Sequence, residues 1–179
     1  EAMKANRTVV LRAVAEFGLA LQFASGELRD DRDIVLEACR PNYDQDGLKY
    51  EYDEEGPLHY ASERLRNDRD IALLAMSEHG DSLQLLSAEL RNDDAIVRAA
   101  AENNPHAAME HCNERFRDDG EFVIEMIKLD YSLACHISER LLDDGNFMRR
   151  MMFEIEDGDV LAYGSERLRS QKQLALLAL

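Results

Sequence analysis

The sequence predicts an all-α fold: an open, right-handed α-solenoid of about six and a half short helix-pair repeats of about 25 residues, with one hairpin-like insertion. Three observations carry this. A Ser-x-x-apolar-Arg-polar-polar pattern recurs along the chain. The apolar residues inside each copy follow a helical period. Polar residues that favour helix ends fall at the same place in each copy.

The recurrence is clearest at Ser62–Met76, SERLRNDRDIALLAM. Its Ser62 aligns with Ser25, Ser87, Asn113, Ser138 and Ser165, at spacings of 37, 25, 26, 25 and 27 residues. Three positions on stand Leu28, Leu65, Leu90, Phe116, Leu141 and Leu168. Arg follows at 29, 66, 91, 117 and 169, with Leu142 as the exception. A fixed period in this range is the mark of a stacked array.

Each copy reads as two helices. In the first, Leu83, Leu86 and Leu90 share one face of a 3.6-residue period, with Ser87 beside them as a small residue at a close helix contact. The Arg ends that helix, a cation at the negative end of its dipole. The second helix starts at a polar pair. Asp118 with Glu121 and Ser170 with Gln173 have capping-box spacing, and Asn67 with Asp70 a looser version. Ile71 to Met76 is apolar nearly all round, which predicts a buried helix. Gly18, Gly80 and Gly158 stand where the second helix stops, as cap glycines do.

Taken in order, residues 1–18 form a half repeat, with Val9, Val10, Leu11, Ala13 and Val14 as its second helix. Repeat one, Ala20 to Cys39, precedes the insertion, residues 40–56. There Pro41 bars a continuing helix, Asp46-Gly47 signals a hairpin turn, and Leu48 to Tyr52 alternates with period two. Repeats two and three, Pro57 to Pro105, are the most regular; four and five, His106 to Gly158, drift; six, Asp159 to Leu179, returns to the pattern. Residues 1–179 are expected to form one repeat domain whose ends lack polar capping repeats, so that it is cut from a longer protein or associates end to end.

The runs FASGELRDDRDIVLEA (Phe23–Ala38) and YASERLRNDRDIALLA (Tyr60–Ala75) resemble the repeats of the family called domain of unknown function 4116. Units of that family read aromatic-Ala-Ser-Glu-x-Leu-Arg/Lys-Asn/Asp-Asp, then an Ile/Val-rich helix. The similarity covers nearly the whole chain and is strongest in repeats one to three. It implies tandem occurrence and no activity, cofactor or catalytic residue. DDAIVRAAAENNPHAAM (Asp93–Met109) is similar, more locally, to leucine-rich-variant and HEAT-type repeats.

Composition narrows the function. Apolar residues make up 45% and charged residues 32%, a globular balance. The net charge of −16 argues against nucleic-acid phosphates and favours a basic or neutral protein or peptide partner. Cys39, Cys112 and Cys135 are too few and odd in number for a disulfide framework, which points to the cytoplasm or another reducing compartment, and is compatible with delivery as a secreted effector. No signal peptide or membrane-spanning run is expected.

Four sets of residues are candidate sites. The position two before each Ser holds Phe23, Tyr60, Leu85, His111, His136 and Tyr163. On a helical wheel it lies more than about 100° from the main apolar stripe. It either lines an extended partner-binding groove or packs against the neighbouring repeat. The acidic residues at second-helix starts, with the Arg just before each pair, bind a basic peptide or a divalent cation, or serve as helix caps with local Arg-Asp pairing. Asn42, Asp44, Asp46, Gly47 and Asp53 fall at positions 1, 3, 5, 6 and 12 of a calcium loop, but Asn at position 1, Asp at position 12 and Lys49 at position 8 depart from the pattern, so a plain acidic hairpin competes. His111-Cys112 and Cys135-His136 have zinc-type ligands, yet neighbours on a helix point about 100° apart and close a tetrahedron poorly. No nucleophile-base pair, phosphate loop or paired-carboxylate motif stands out, and no cofactor is expected. The reading is a non-catalytic interaction or spacer scaffold. The alternatives are a regulatory appendage of a larger enzyme or effector, and a weak calcium-responsive module through 42–53.

Overall fold

A computed structural model describes residues 3–41, 56–155 and 158–170 of the chain. The insertion lies almost wholly outside them, and with it the hairpin and the calcium-loop residues Asn42, Asp44, Asp46, Gly47 and Asp53. The second helix of repeat six, after Ser170, also lies outside. The described residues form α- and 3-10 helices and no strand. They fall into two compact units, Glu1–His111 and Cys112–Leu179.

The first unit holds α1 (Arg7–Glu16), α2 (Arg32–Ala38), α3 (Glu63–Arg66), α4 (Arg69–Glu78), α5 (Asp94–Asn103) and α6 (Pro105–His111). Between them run 3-10 turns at Gly18–Phe23, Leu28–Asp30, Pro57–Tyr60, Gly80–Leu85 and Leu90–Asn92. The second holds α7 (Glu114–Arg117), α8 (Gly120–Leu129), α9 (Glu139–Leu142), α10 (Gly145–Ile155) and α11 (Glu166–Arg169), with 3-10 turns at Tyr131–His136 and Gly158–Tyr163.

Each of repeats one to five therefore has three pieces: a 3-10 or short helical turn, a single helical turn, and a longer α-helix. The continuous first helix expected from Leu83, Leu86 and Leu90 is broken at the serine. Ser62 is extended, at φ −62° and ψ 155°, and its hydroxyl accepts the Leu65 amide at 3.3 Å. Ser87, Ser138 and Ser165 do the same for Leu90, Leu141 and Leu168, and Asn113 for Arg115. Except at Ser25, whose buried hydroxyl takes no partner among the described residues, the serine is an N-cap, which satisfies an orphan amide at a new helix start, and not a small contact residue. The apolar residue three places on is buried in every copy.

The longer helices carry the core. Ile34, Ile71, Ile96 and Phe122 are fully buried at the same register position. Burial in α4 is confined to Ile71, Ala72, Ala75 and Met76, while Leu73 and Leu74 are half-buried. The expected all-round burial is thus narrowed to one face, because the helix packs on its neighbours from one side.

The caps of these helices lie one residue later than the spacing suggested. Asp119, not Asp118, accepts the amides of Glu121 and Phe122, at 3.0 and 3.3 Å. Asp68, not Asn67, caps α4, and Ser170 closes α11. Asp31 and Asp93 repeat the Asp68 pattern. The glycine reading also changes. His79, at φ −144°, is the C-cap of α4, and Gly80 opens the next 3-10 turn. Gly18 and Gly158 likewise open turns.

The first residue of the pair, displaced from capping, latches one repeat to the next at Asp30, Asp118 and Asp143. Asp30 accepts the Ser62 hydroxyl and Arg64 Nε, the latter at 3.1 Å, while the Ser62 amide donates to the Arg29 carbonyl at 3.0 Å. Asp118 serves Ser138 and Arg140, and Asp143 serves Ser165 and Arg167, in the same way. In the first unit a second ladder joins the long helices. Arg7 reaches Asp31 and Asp33, Arg32 reaches Asp68 and Asp70, and Arg69 reaches Asp93. Gly120 and Gly145 stand in place of that arginine in the second unit, where Arg150 and Lys128 instead bridge to Glu121 and Glu154.

The ladder has a pH consequence. Hydrogen bonds from Arg7, Arg32 and Arg69, helped by helix-start amides, hold Asp31, Asp68 and Asp93 below the usual carboxylate range. A carboxylate depressed in the folded state stabilises fully above its unfolded value, about 3.9, and less as pH falls through the folded one. Thermal melts of the chain should therefore hold level above about pH 5 and drop below about pH 4. Replacing Asp31, Asp68 and Asp93 by Asn should flatten that drop; an unchanged acid limb would place the sensitivity elsewhere.

Candidate functional site

The position two before the capping serine ends each 3-10 or short turn, where the chain bends out of helical geometry. Phe23 is 60% exposed there. Tyr60, Leu85 and His111 of the first unit are half-buried, as are His136 and Tyr163 of the second. The residues next along the chain are buried: Ala24, Ala61, Leu86, Cys112 and Ile137. This alternation puts the backbone turn against the core and leaves the preceding ring partly in water. Tyr60 meets His59 edge-on at 5.1 Å, and Tyr163 meets Tyr131 at 5.4 Å. Such edge contacts hold a ring without closing it from solvent.

The acidic helix starts are occupied by their own chain. Asp31, Asp68 and Asp93 cap helices and hold arginines; Asp119 and Asp144 cap α8 and α10. Among the described residues no group of three or more His, Cys, Asp and Glu is arranged to hold a metal ion. His111 ends the first unit and Cys112 begins the second, while Cys135 and His136 end one 3-10 turn. Burial pushes the Cys39 thiol up to about 12 and the Cys112 thiol up to about 11, which keeps both protonated and poor as metal ligands. Cys135 is exposed, and all three cysteines are free thiols.

The inter-repeat latches escaped sequence reasoning. Their signal was present: Asp30, Asp118 and Asp143 each meet an Arg two places past the next capping serine, at 64, 140 and 167. Where that Arg is Glu89, the aspartate is Asn67. The paired change avoids facing two carboxylates.

The model of a family described as a domain of unknown function (DUF4116) matches residues 6–52, 55–91 and 71–117. The chain belongs to the DUF4116 family. The second and third matches overlap across 71–91, so one long helix and the turns after it serve as the end of one DUF4116 segment and the start of the next. This is how a tandem array with shared junctions reads. No curated protein and no solved structure matches the chain. No helix among the described residues is long and apolar enough to cross a membrane.

Proposed function

We propose that the chain is a non-catalytic helical-repeat module, stacked as an open α-solenoid, that holds an extended basic or neutral protein segment. The observation that supports this is the position two before the aligned serine, which is half-buried or exposed in all six copies. Tyr60, His111, His136 and Tyr163 there carry both an apolar body and a polar tip, which suits adaptable contact with a peptide. The net charge of −16 favours a basic partner. Buried, protonated Cys39 and Cys112 fit a reducing compartment. The test uses peptides selected by display against the full chain. Tyr60→Ala and Tyr163→Ala should each weaken the selected peptides about 30-fold, the effect of losing an aromatic anchor of about 2 kcal/mol, with thermal melts unchanged. If both variants bind as wild type does, the row is not the contact surface.

A second reading, end-to-end self-association, is favoured by α1. Val9 is 39% exposed, whereas Ile34 and Ile71 at the same register are fully buried. Sedimentation of the chain should then show concentration-dependent association that Val9→Glu abolishes; a monomer at all concentrations would end this reading.

A further inference from the structure

Within the two units, five described junctions join a long helix to the serine of the next repeat; at the first the Ser25 amide donates to the Lys4 carbonyl at 3.0 Å, with Ala5 and Glu27 where other junctions have the aspartate and arginine. At three of them an arginine closes the latch. Arg64, Arg140 and Arg167 point Nε at the carboxylate of Asp30, Asp118 and Asp143. Each also sends Nη2 to the main-chain carbonyl of the same aspartate, at 2.8, 2.9 and 2.6 Å. The chain has thus built one guanidinium seat three times: a side-chain oxygen, a main-chain carbonyl, and the serine turn as a wall.

The junction of Asn67 with Ser87 lacks the arginine, and its serine amide is held by a side chain where the three arginine junctions use the main-chain carbonyl before the aspartate. Asn67 stands for the aspartate and Glu89 for the arginine. Asn67 Oδ1 accepts the Ser87 amide at 3.0 Å, which still joins the repeats. No donor of a described residue reaches the Asn67 main-chain carbonyl. The surface here is an open depression of about 440 Å3 lined by Asn67, Ser87, Glu89 and Asp93 among others. A depression of about 490 Å3 at Asp118 and Ser138, which extends toward Asn113 and Arg115, has Arg140 in its wall. Arg69, at the rim of the empty seat, spends its charge on Asp93 at 2.8 Å.

We propose that the depression between Asn67 and Glu89 binds the guanidinium of an arginine from a partner segment, which takes the place that Arg64, Arg140 and Arg167 fill at three other junctions. The inference rests on the reading of the chain as a binder of basic segments and names the side chain it takes. The Asn67 carbonyl and Oδ1 supply neutral acceptors, and the Glu89 carboxylate supplies the negative charge that Asn67 lacks. A planar fork of N–H groups meets two acceptors at once, which the point charge of a lysine does not. An incoming arginine also bridges the repeat of Asn67 to that of Ser87, so binding stiffens this junction.

The test is a two-dimensional amide NMR titration of the full chain with the peptide acetyl-Gly-Arg-Gly-amide, and with its Lys counterpart. The Arg peptide should shift the Ser87 and Glu89 amides, and the Lys peptide should do so at least about five-fold more weakly. The double variant Asn67→Asp, Glu89→Arg rebuilds the Asp30–Arg64 pair and so keeps its fold. It should lose the response, since its own guanidinium fills the seat. Equal response to Arg and Lys, an undiminished response in the double variant, or shifts mapping away from 67–93 would each overturn the proposal. Such a failure leaves the Tyr60 and Tyr163 result untouched, so the two readings fall separately.

Discussion

Phe122→Ala is expected to destabilise the second unit by about 3–5 kcal/mol, the usual cost of emptying a buried aromatic site. Phe122 is fully buried in α8, and its ring lies 5.3 Å from that of Phe116. Phe116 belongs to the single-turn helix of the same repeat, so the pair pins turn to long helix. The loss has two parts: apolar area returned to water, and a void that the neighbouring chain fills incompletely. Phe122 also shares its register position with Ile34, Ile71 and Ile96, each buried. Phe122→Ile should accordingly retain much of the stability that Phe122→Ala loses, because the fold already accepts Ile there three times. Urea titrations followed by circular dichroism read both variants. A Phe122→Ala midpoint equal to wild type would remove this residue from the core and break the register on which the repeat alignment rests.

Gly80→Ala should cost about 1–3 kcal/mol, as overpacking of a close contact does. The reason is proximity rather than a left-handed backbone. A Cβ at Gly80 would stand 2.6 Å from the Ala100 carbonyl oxygen and 3.0 Å from the Asn104 amide nitrogen, and main chain cannot swing aside as a side chain can. The Gly80 amide also donates to Asn103 Oδ1 at 2.7 Å, which draws the turn onto the end of α5. Gly26 is the control. A Cβ there meets nothing within 4 Å, so Gly26→Ala should change stability by less than about 0.5 kcal/mol. Equal melts for the two alanine variants would contradict the close approach at Gly80.

The all-helical class and the tandem repeat were legible because they depend on summed, periodic signals. Ile71 and Ile96 announce a buried face through their spacing, and the structure buries both. What the periodicity could not carry was the break at Ser62. Leu58, Leu65 and their equivalents fall near helical spacing whether the chain runs as one helix or as a 3-10 turn followed by a capped one. The decision rests on the serine hydroxyl, a local hydrogen bond that a hydrophobic pattern does not register. The same holds for Asp118 and Asp119. Two adjacent acids are equally good caps on spacing alone, and Ser138 and Arg140 of the next repeat recruit the first, leaving the second to cap α8. For Tyr60, His111, His136 and Tyr163 the sequence left open a groove position or one packed on the neighbouring repeat; the partial exposure found agrees with their mixed occupancy, since a fully buried position tends to converge on aliphatics. Phe23, apolar yet 60% exposed, follows the position and not the residue type.

The central claim is that the partly exposed position two before each aligned serine is where a partner lies. A photoreactive phenylalanine placed at Tyr60 and at Tyr163 of the full chain tests it directly, with Glu102 of α5 and Glu125 of α8, both exposed, as controls. With a display-selected peptide bound, cross-links should form from 60 and 163 and not from 102 and 125. Cross-links confined to the control positions, with 60 and 163 silent, would contradict the account.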